Sequence, residues 1–420
     1  MPNRMAGSAP IRRMLALWIL SGSIGCGRIP GPWIAPGSRD SVEVRIATPW
    51  NAADRSEAER KLRAAGADLA SIRIAWIELP SGFPFDRASV RVPAIHMYLG
   101  GPRWEYERLA AAGQLGGAGG EADPAPRVVR RLAIVAGGKG TDAGPSGRPI
   151  LEDPRVDPVT LTWAEGRLTQ QGWLEGYASV LLDYGNAARS AGWQAGTASA
   201  AEDRPGTAPV WTLQLASPSE MASSDIVYEE WGAVGSHAAD PAACKRILDV
   251  LAGPASIEGR RAQTVDDARR SELLADLLGS TLVDAQEELR EACEILGRAP
   301  ANAGAGSPAR AWLLEPPPWP PAFVKKLQER GGDHALAMVQ DLAARVAPDP
   351  EARFWLVQSW LRPTRPIDGS FLAELAGAAG GRLARQADFR EWLRREWTAW
   401  ARQRYRRVAR VASGRLPQPG

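Results

Sequence analysis

The stretch Val42–Leu62 reads VEVRIATPWNAADRSEAERKL, and its change of period decides the fold class. Val42, Val44 and Ile46 alternate with Glu43 and Arg45, the two-residue period of a strand. Thr48-Pro49-Trp50-Asn51 interrupts the alternation. Asn51 is a helix N-cap with Asp54 at the third position after it. Ala58, Leu62 and Ala65 then line one helical face, and Gly66 ends it. Outward from here, Ile72, Ile74 and Trp76 mark a second strand and Val92 to Leu99 a third. The third stops at Gly100-Gly101-Pro102, after which Tyr106, Leu109, Ala110 and Gly113 recur at i, i+3, i+4 and i+7. Strand, helix, strand, then strand and helix again is an α/β layout with a parallel sheet. Ligands of such sheets bind outside the carboxyl ends of the strands. Thr48–Asn51 and Gly100–Gly101 both lie at such ends and belong on one sheet edge. The glycine pair serves either a tight turn or a close backbone approach to a ligand. Each loop feeds a helix N-terminus, which favours a polar or anionic ligand.

Composition narrows the function classes. The 420 residues suit two or three domains, and 45% hydrophobic with 24% charged residues is ordinary globular protein. The net charge of +3 does not call for a polyanion partner. The 17 Trp against 6 Tyr and 6 Phe fall mostly in helical patterns and read first as core. Only His96, His237 and His334 are present, in separate segments; His96 in its apolar strand reads as a structural histidine. No G-x-S-x-G, H-E-x-x-H or Cys/His zinc spacing occurs. Asp153 and Asp157 are spaced to act as an acid and base, but capping accounts for Asp157 more simply. No catalytic residue, metal or cofactor is assigned, and the chain is read as a non-enzyme.

The first 26 residues read as a secretory signal. Arg4, Arg12 and Arg13 precede the apolar run Met14–Leu20, which is too short for a membrane span. Ile24-Gly25-Cys26-Gly27 resembles a bacterial lipobox, with Ser23 where leucine is preferred, so Cys26 is the candidate lipidation site. Residues 27–41 form a Gly/Pro-rich linker. Three cysteines make no disulfide framework; Cys244 and Cys293 are a pair or two buried thiols.

Residues 42–149 make a first lobe, closed by a glycine-rich stretch with a strand at Arg127 to Val135. Residues 150–262 make a second lobe. Asp157-Pro158 is an N-cap with proline at the first helical position, and Leu161, Ala164 and Leu168 point inward. Strands follow at 210–216 and 226–234, then a helix with Ile247, Leu248 and Leu251 inward. From 263 to 420 the chain is helical. One long helix is expected over 273–296. A polyproline stretch, Pro316–Pro321, reads as a rigid lead into the next helix. Further helices are expected at 333–347, 350–361 and 370–377. The last, Phe389 to Val411, carries Phe389, Leu393, Trp397 and Trp400 on one face and arginines on the others. That arginine face docks on the core, lies on anionic lipid, or binds nucleic acid, in falling order.

Several segments together resemble an extracellular solute-binding protein of an ABC importer, of the type II periplasmic-binding-protein kind. They are VRIATPWNAADRSEAERKL, LGGPRWEYERLAAAGQL, ILEDPRVDPVTLTWAEGRL and YEEWGAVGSHAADPAACKRILDVLAG, in the family's order over about residues 42 to 260. The resemblance implies an α/β, two-lobed periplasmic-binding-protein-like fold with a helical C-terminal extension. It implies capture of a small solute in an interlobe cleft and delivery to an ABC importer permease. The protein would sit in the periplasm or on the cell surface, held at the membrane by a lipid anchor, with no nucleic acid involved. Thr48, Trp50 and Asn51, then Gly100 and Gly101, would contact the ligand from one lobe. Asp157 and Thr160 would face them, with Tyr228 and Trp231 near the hinge. The glycine-rich crossover and the helices after 265 depart from the family pattern. The paired tyrosines of ferric-iron binders are absent, Tyr228 standing beside Glu229. A lipid-anchored scaffold on a degenerate binding fold is the main rival reading, and a secreted hydrolase is third.

Overall fold

The computed structural model describes residues 42–66, 71–80, 84–91, 94–116, 126–138, 148–186, 210–216, 226–253, 265–298 and 308–414. The expected signal segment, Cys26, the linker and the loop stretches between these ranges lie outside the described residues. In chain order the elements are β1 (Val42–Thr48), α1 (Ala52–Ala64), β2 (Ile72–Glu78), α2 (Phe85–Arg91), β3 (Met97–Leu99), α3 (Arg103–Ala111), β4 (Arg127–Gly138), β5 (Arg148–Ile150), α4 (Pro158–Gln171), α5 (Trp173–Asn186), β6 (Val210–Ala216), β7 (Val227–Val234) and α6 (Pro241–Ala252). The helical region holds α7 (Val265–Leu278), α8 (Gln286–Arg298), α9 (Pro308–Leu314), β8 (Pro318–Trp319), α10 (Ala322–Arg330), α11 (Gly332–Val346), α12 (Pro350–Trp360), β9 (Arg365–Pro366), α13 (Gly369–Gly377), α14 (Arg382–Arg385) and α15 (Ala387–Ala412). No described helix is long and apolar enough to cross a membrane.

The main sheet has seven strands in the order β2-β1-β3-β7-β4-β6-β5. β1 runs parallel to β2 and β3, so the loops at Thr48 and Leu99 leave the same edge, as the sequence predicts. The sheet as a whole is mixed, not parallel. β7 is antiparallel to both β3 and β4, and β6 is antiparallel to β4. The reason is the return path: β7 re-enters between β3 and β4 in the reverse direction, which needs no crossover helix at that step.

β4 and β7 sit at the middle of the sheet and join its two halves. Arg127 to Ala133 of β4 pair with β7, and Ala133 to Gly138 pair with β6. Three cores follow from strand alternation. Ile46, Met97 and Leu99 face one side, against Ala58 and Leu62 of α1 and Ile247 and Leu248 of α6. Ala47 and Tyr98 face the other side, against Phe85, Tyr106 and Leu109. Leu132, Ile134 and Tyr228 enter a third and larger core, which the second lobe shares with the helical region.

Some local expectations shift. Among the described residues the third strand begins at Met97, and Ala94 before it has a positive φ of +62°, which interrupts extended backbone. The buried face of α3 is Pro102, Glu105, Tyr106 and Leu109, while Ala110 is exposed. Glu105 turns inward because its carboxylate accepts a hydrogen bond from the Phe85 amide at 3.2 Å. The single helix expected over 273–296 is broken by a π turn at Gly279–Val283. There Thr281 Oγ1 donates to the Leu277 carbonyl at 2.8 Å. The Arg155 guanidinium presses on Gly279, where a Cβ would lie 2.4 Å from Nε, and pairs with Asp284 just beyond. The polyproline stretch is tied in as β8, which pairs antiparallel with β9.

The arginines of α15 meet protein, which is the docked arrangement. Arg390 pairs with Glu272 and Asp276, both at 2.6 Å. Arg402 donates to the Asp284 carbonyl, Arg406 pairs with Glu288, and Arg404 reaches Glu315 and the Trp312 carbonyl. Cys244 and Cys293 are free thiols.

Candidate functional site

The loop after β1 is built from its own side chains. Thr48 is fully buried, and its Oγ1 accepts from the Trp50 amide at 3.1 Å. This local bond turns the chain and folds the Trp50 indole inward. Asn51 faces solvent, and its Oδ1 accepts from the amides of Ala53 and Asp54, satisfying the first turn of α1. The Trp50 indole Nε1 donates to Glu230 Oε2 at 2.9 Å.

The loop after β3 is shaped around that indole. Gly100 and Gly101 have φ of +84° and +78°, the left-handed region that favours glycine. A Cβ at Gly100 would lie 2.7 Å from Trp50 Nε1. The close neighbour of the Gly100 backbone is thus Trp50 of the same chain, where the sequence leaves open a ligand or a tight turn. Backbone bonds between Gly100, Gly101 and Trp231 zip this loop to β7. The Tyr106 hydroxyl lies 2.6 Å from the Gly100 carbonyl oxygen and 2.5 Å from that of Trp231, its one proton serving both.

Behind the two loops lies a half-buried charge cluster. Arg130 Nε donates to Glu230 at 2.6 Å and its Nη1 to Asp54 at 2.5 Å, with the guanidinium 5.3 Å from the Trp50 ring centre. Burial pulls the Arg130 pKa down, but the hydrogen bonds and charges of Glu230 and Asp54 outweigh it and raise it. Burial raises the pKa of Glu230 against the pull of Arg130 and Trp50. Burial also raises Glu105 to about 7, against Arg108 and the Phe85 amide.

The second lobe contributes the start of α4. Asp157 accepts from the Val159 and Thr160 amides and from the Thr160 hydroxyl, so it caps the helix as predicted. Thr160 is buried. Tyr228 joins the lobes: its hydroxyl pKa is raised well above normal by burial, then by the charges of Glu230, Asp157 and Glu105. Asp157 therefore lies within electrostatic reach of the Tyr228 hydroxyl. Trp231 is half-buried, with the Arg103 guanidinium 5.2 Å from its ring centre.

Thr48, Trp50, Gly100, Gly101 and Trp231 thus meet in one cluster, Tyr228 and Asp157 lie at its border, and Asn51 points away. Sequence reasoning missed Arg130, Glu230, Glu105 and Tyr106. One signal was present: on β7 the buried positions alternate through Tyr228, Glu230 and Gly232, which puts a glutamate on the inward face. His96 is structural, its Nδ1 accepting from the Arg45 amide at 3.2 Å. Among the described residues no group of three or more His, Cys, Asp or Glu is placed to hold a metal.

No protein-family model matches the chain, and no curated protein is similar to it. Solved structures resemble part of it. A ferric binding protein from Campylobacter jejuni superposes with a TM-score of 0.34 at 11% identity, over 54% of this chain and 90% of that one. Iron-bound HitA from Pseudomonas aeruginosa gives 0.35 at 13%, over 51% and 82%. The periplasmic molybdate-binding protein of Azotobacter vinelandii gives 0.32 at 14%, over 51% and 94%. These are partial likenesses of fold, and a shared fold does not fix a ligand.

Proposed function

We propose that this protein is an extracytoplasmic solute-binding protein that takes a small, donor-rich solute between the two loops and the start of α4, and passes it to an ABC importer permease. In this reading Cys26 carries the lipid that holds the protein at the membrane. The observation that carries the proposal is the convergence at Tyr228. Asp157 and Glu230 from the second lobe and Glu105 from the first lie within electrostatic reach of its hydroxyl, on the strand β7 that makes the crossing between β3 and β4 by pairing with both. Such a crossing is where two-lobed clamps hinge and where their ligands sit.

The same geometry narrows the solute class. The α1 N-terminus is satisfied by Asn51 and that of α4 by Asp157, so neither offers free amides to an anion. Arg130 already holds two carboxylates. What remains is acidic and accepting, which suits polyols, sugars or amines. Trp50 Nε1 now stands on Glu230, and a solute hydroxyl or ammonium would take that place.

A thermal-shift panel of sugars, polyamines, amino acids and oxyanions on the leaderless chain tests this. A rise in Tm with a sugar or polyamine and none with oxyanions is expected. Unchanged melting with every solute, or a rise with oxyanions alone, would remove the reading. A second reading, a lipid-anchored scaffold, is favoured by one feature. The loops are filled by Trp50, and Arg108 of α3 reaches Glu272 of α7 at 3.6 Å, tying the first lobe to the helical region. A panel negative for all classes is the outcome that this second reading expects.

A further inference from the structure

A second site, unrelated to the lobes, lies along α15. Glu396, Trp400, Gln403 and Arg407 are spaced four, three and four apart, with Arg404 beside Gln403, so they form one continuous stripe of the helix. α9 flanks the stripe on one side with Trp312, and the β8–α10 segment flanks it on the other with Pro317, Pro321 and Phe323. Two cavities result, sharing Trp400 and Gln403. One, of about 200 Å³, is walled by Trp312, Trp400, Arg404 and Arg407. The other, of about 180 Å³, runs over Phe323 toward Lys326 and Glu396. Each is smaller than a drug-sized pocket, which starts at roughly 300 Å³, so the groove suits a small ligand.

The two arginines of this groove are in different states. Arg404 lies 5.0 Å from the Trp400 ring centre and has its charge met by Glu315. Arg407 lies 4.2 Å from the Trp312 ring centre. It is exposed, and among the described residues no carboxylate comes within ion-pair distance of it. The Trp312 indole lies within cation–π distance of this guanidinium and restricts its freedom. Trp400 is half-buried and forms the wall common to both cavities. Glu396 makes the far cavity unsuitable for an anionic group.

We infer that this groove binds a small organic anion. Its flat apolar body lies along Trp400, and its carboxylate or phosphate oxygens take the fork of Arg407. The site is separate from the acidic junction between the lobes and selects the opposite charge.

Calorimetric titration of the full chain with 2-naphthoate, and with uncharged 2-naphthalenemethanol, tests the inference. The wild type is expected to bind naphthoate about tenfold more tightly than the alcohol, and R407Q is expected to lose that preference. R407K, which keeps the charge and loses the fork, is expected to fall between them. Trp400→Leu is expected to weaken both probes together. Arg407 is exposed, so circular dichroism and melting of R407Q should match the wild type. Equal affinity for the two probes, a preference unchanged in R407Q, or no heat up to about 10 mM naphthoate would each overturn the site.

Discussion

At the scale of single residues, the junction is held by groups that cannot be changed singly without cost. Gly100→Ala puts a Cβ at 2.7 Å from Trp50 Nε1 on a backbone with φ of +84°. A loss of about 2–3 kcal/mol in urea unfolding is expected, with a red-shifted indole emission as Trp50 is pushed out. Trp50→Phe keeps the ring but leaves Glu230 one donor short while still buried, and about 1–3 kcal/mol is expected to go. Glu105 gives a pH signature. Its carboxyl is raised from 4.5 to about 7, so between those values the folded chain holds a proton that the unfolded chain has released. Its contribution is therefore full below the unfolded value and falls as pH rises toward 7, by up to about 3 kcal/mol. Urea unfolding of the wild type and E105Q across this window should show the wild type losing stability relative to the variant. A constant gap would contradict the assignment. The capping roles of Asn51 and Asp157 were legible because a cap is a local event. The Trp50–Glu230–Arg130 cluster was not, since its members lie 180 and 100 positions apart and only the fold brings them together.

At the scale of elements, periodicity located most helices and strands because each buries one face. It failed where a tertiary contact overrode the local pattern. The helix over 273–296 looks continuous by its spacing, and the ion pairs of Arg155 with Asp153 and Asp284 are what mark the break. α3 was read one step out of phase because an inward glutamate looks like a surface residue in sequence. The basic α15 was legible as amphipathic, but its arginine partners lie on α7, α8 and α9. Asp276 is only 2% exposed and meets Arg390 at 2.6 Å. Arg390→Met leaves that carboxylate with only Arg394 at 3.9 Å, and up to about 3–5 kcal/mol should be lost. The double variant Arg390→Met with Asp276→Leu should recover much of the loss; no recovery would mean that the pair is not the cause.

At the scale of the whole molecule, α4, α5 and the helical region form one hydrophobic unit. Trp163, Tyr177 and Val180 share a core with Leu277, Phe371 and Trp397. A chain ending at Gly253 is therefore expected to keep the first lobe but lose cooperative near-ultraviolet signal from the second; a truncated chain with two intact lobes would contradict this shared core. The α/β class and the order of segments were readable from the sequence alone. The merging of cores was not, because apolar faces of separate helices do not announce their partners. The central claim is that acidic groups of both lobes receive one donor-rich solute. Asp157→Asn is the sharpest probe, since asparagine ranks with aspartate as a helix cap and the change removes the charge together with one of the two accepting oxygens. The decisive measurement is the solute panel by thermal shift on wild type and D157N in parallel. The account expects a sugar or polyamine to raise the wild-type Tm by several degrees, about 2–4 °C per kcal/mol for larger domains, and to raise that of D157N less. An equal rise in both proteins, or none in either, would contradict it.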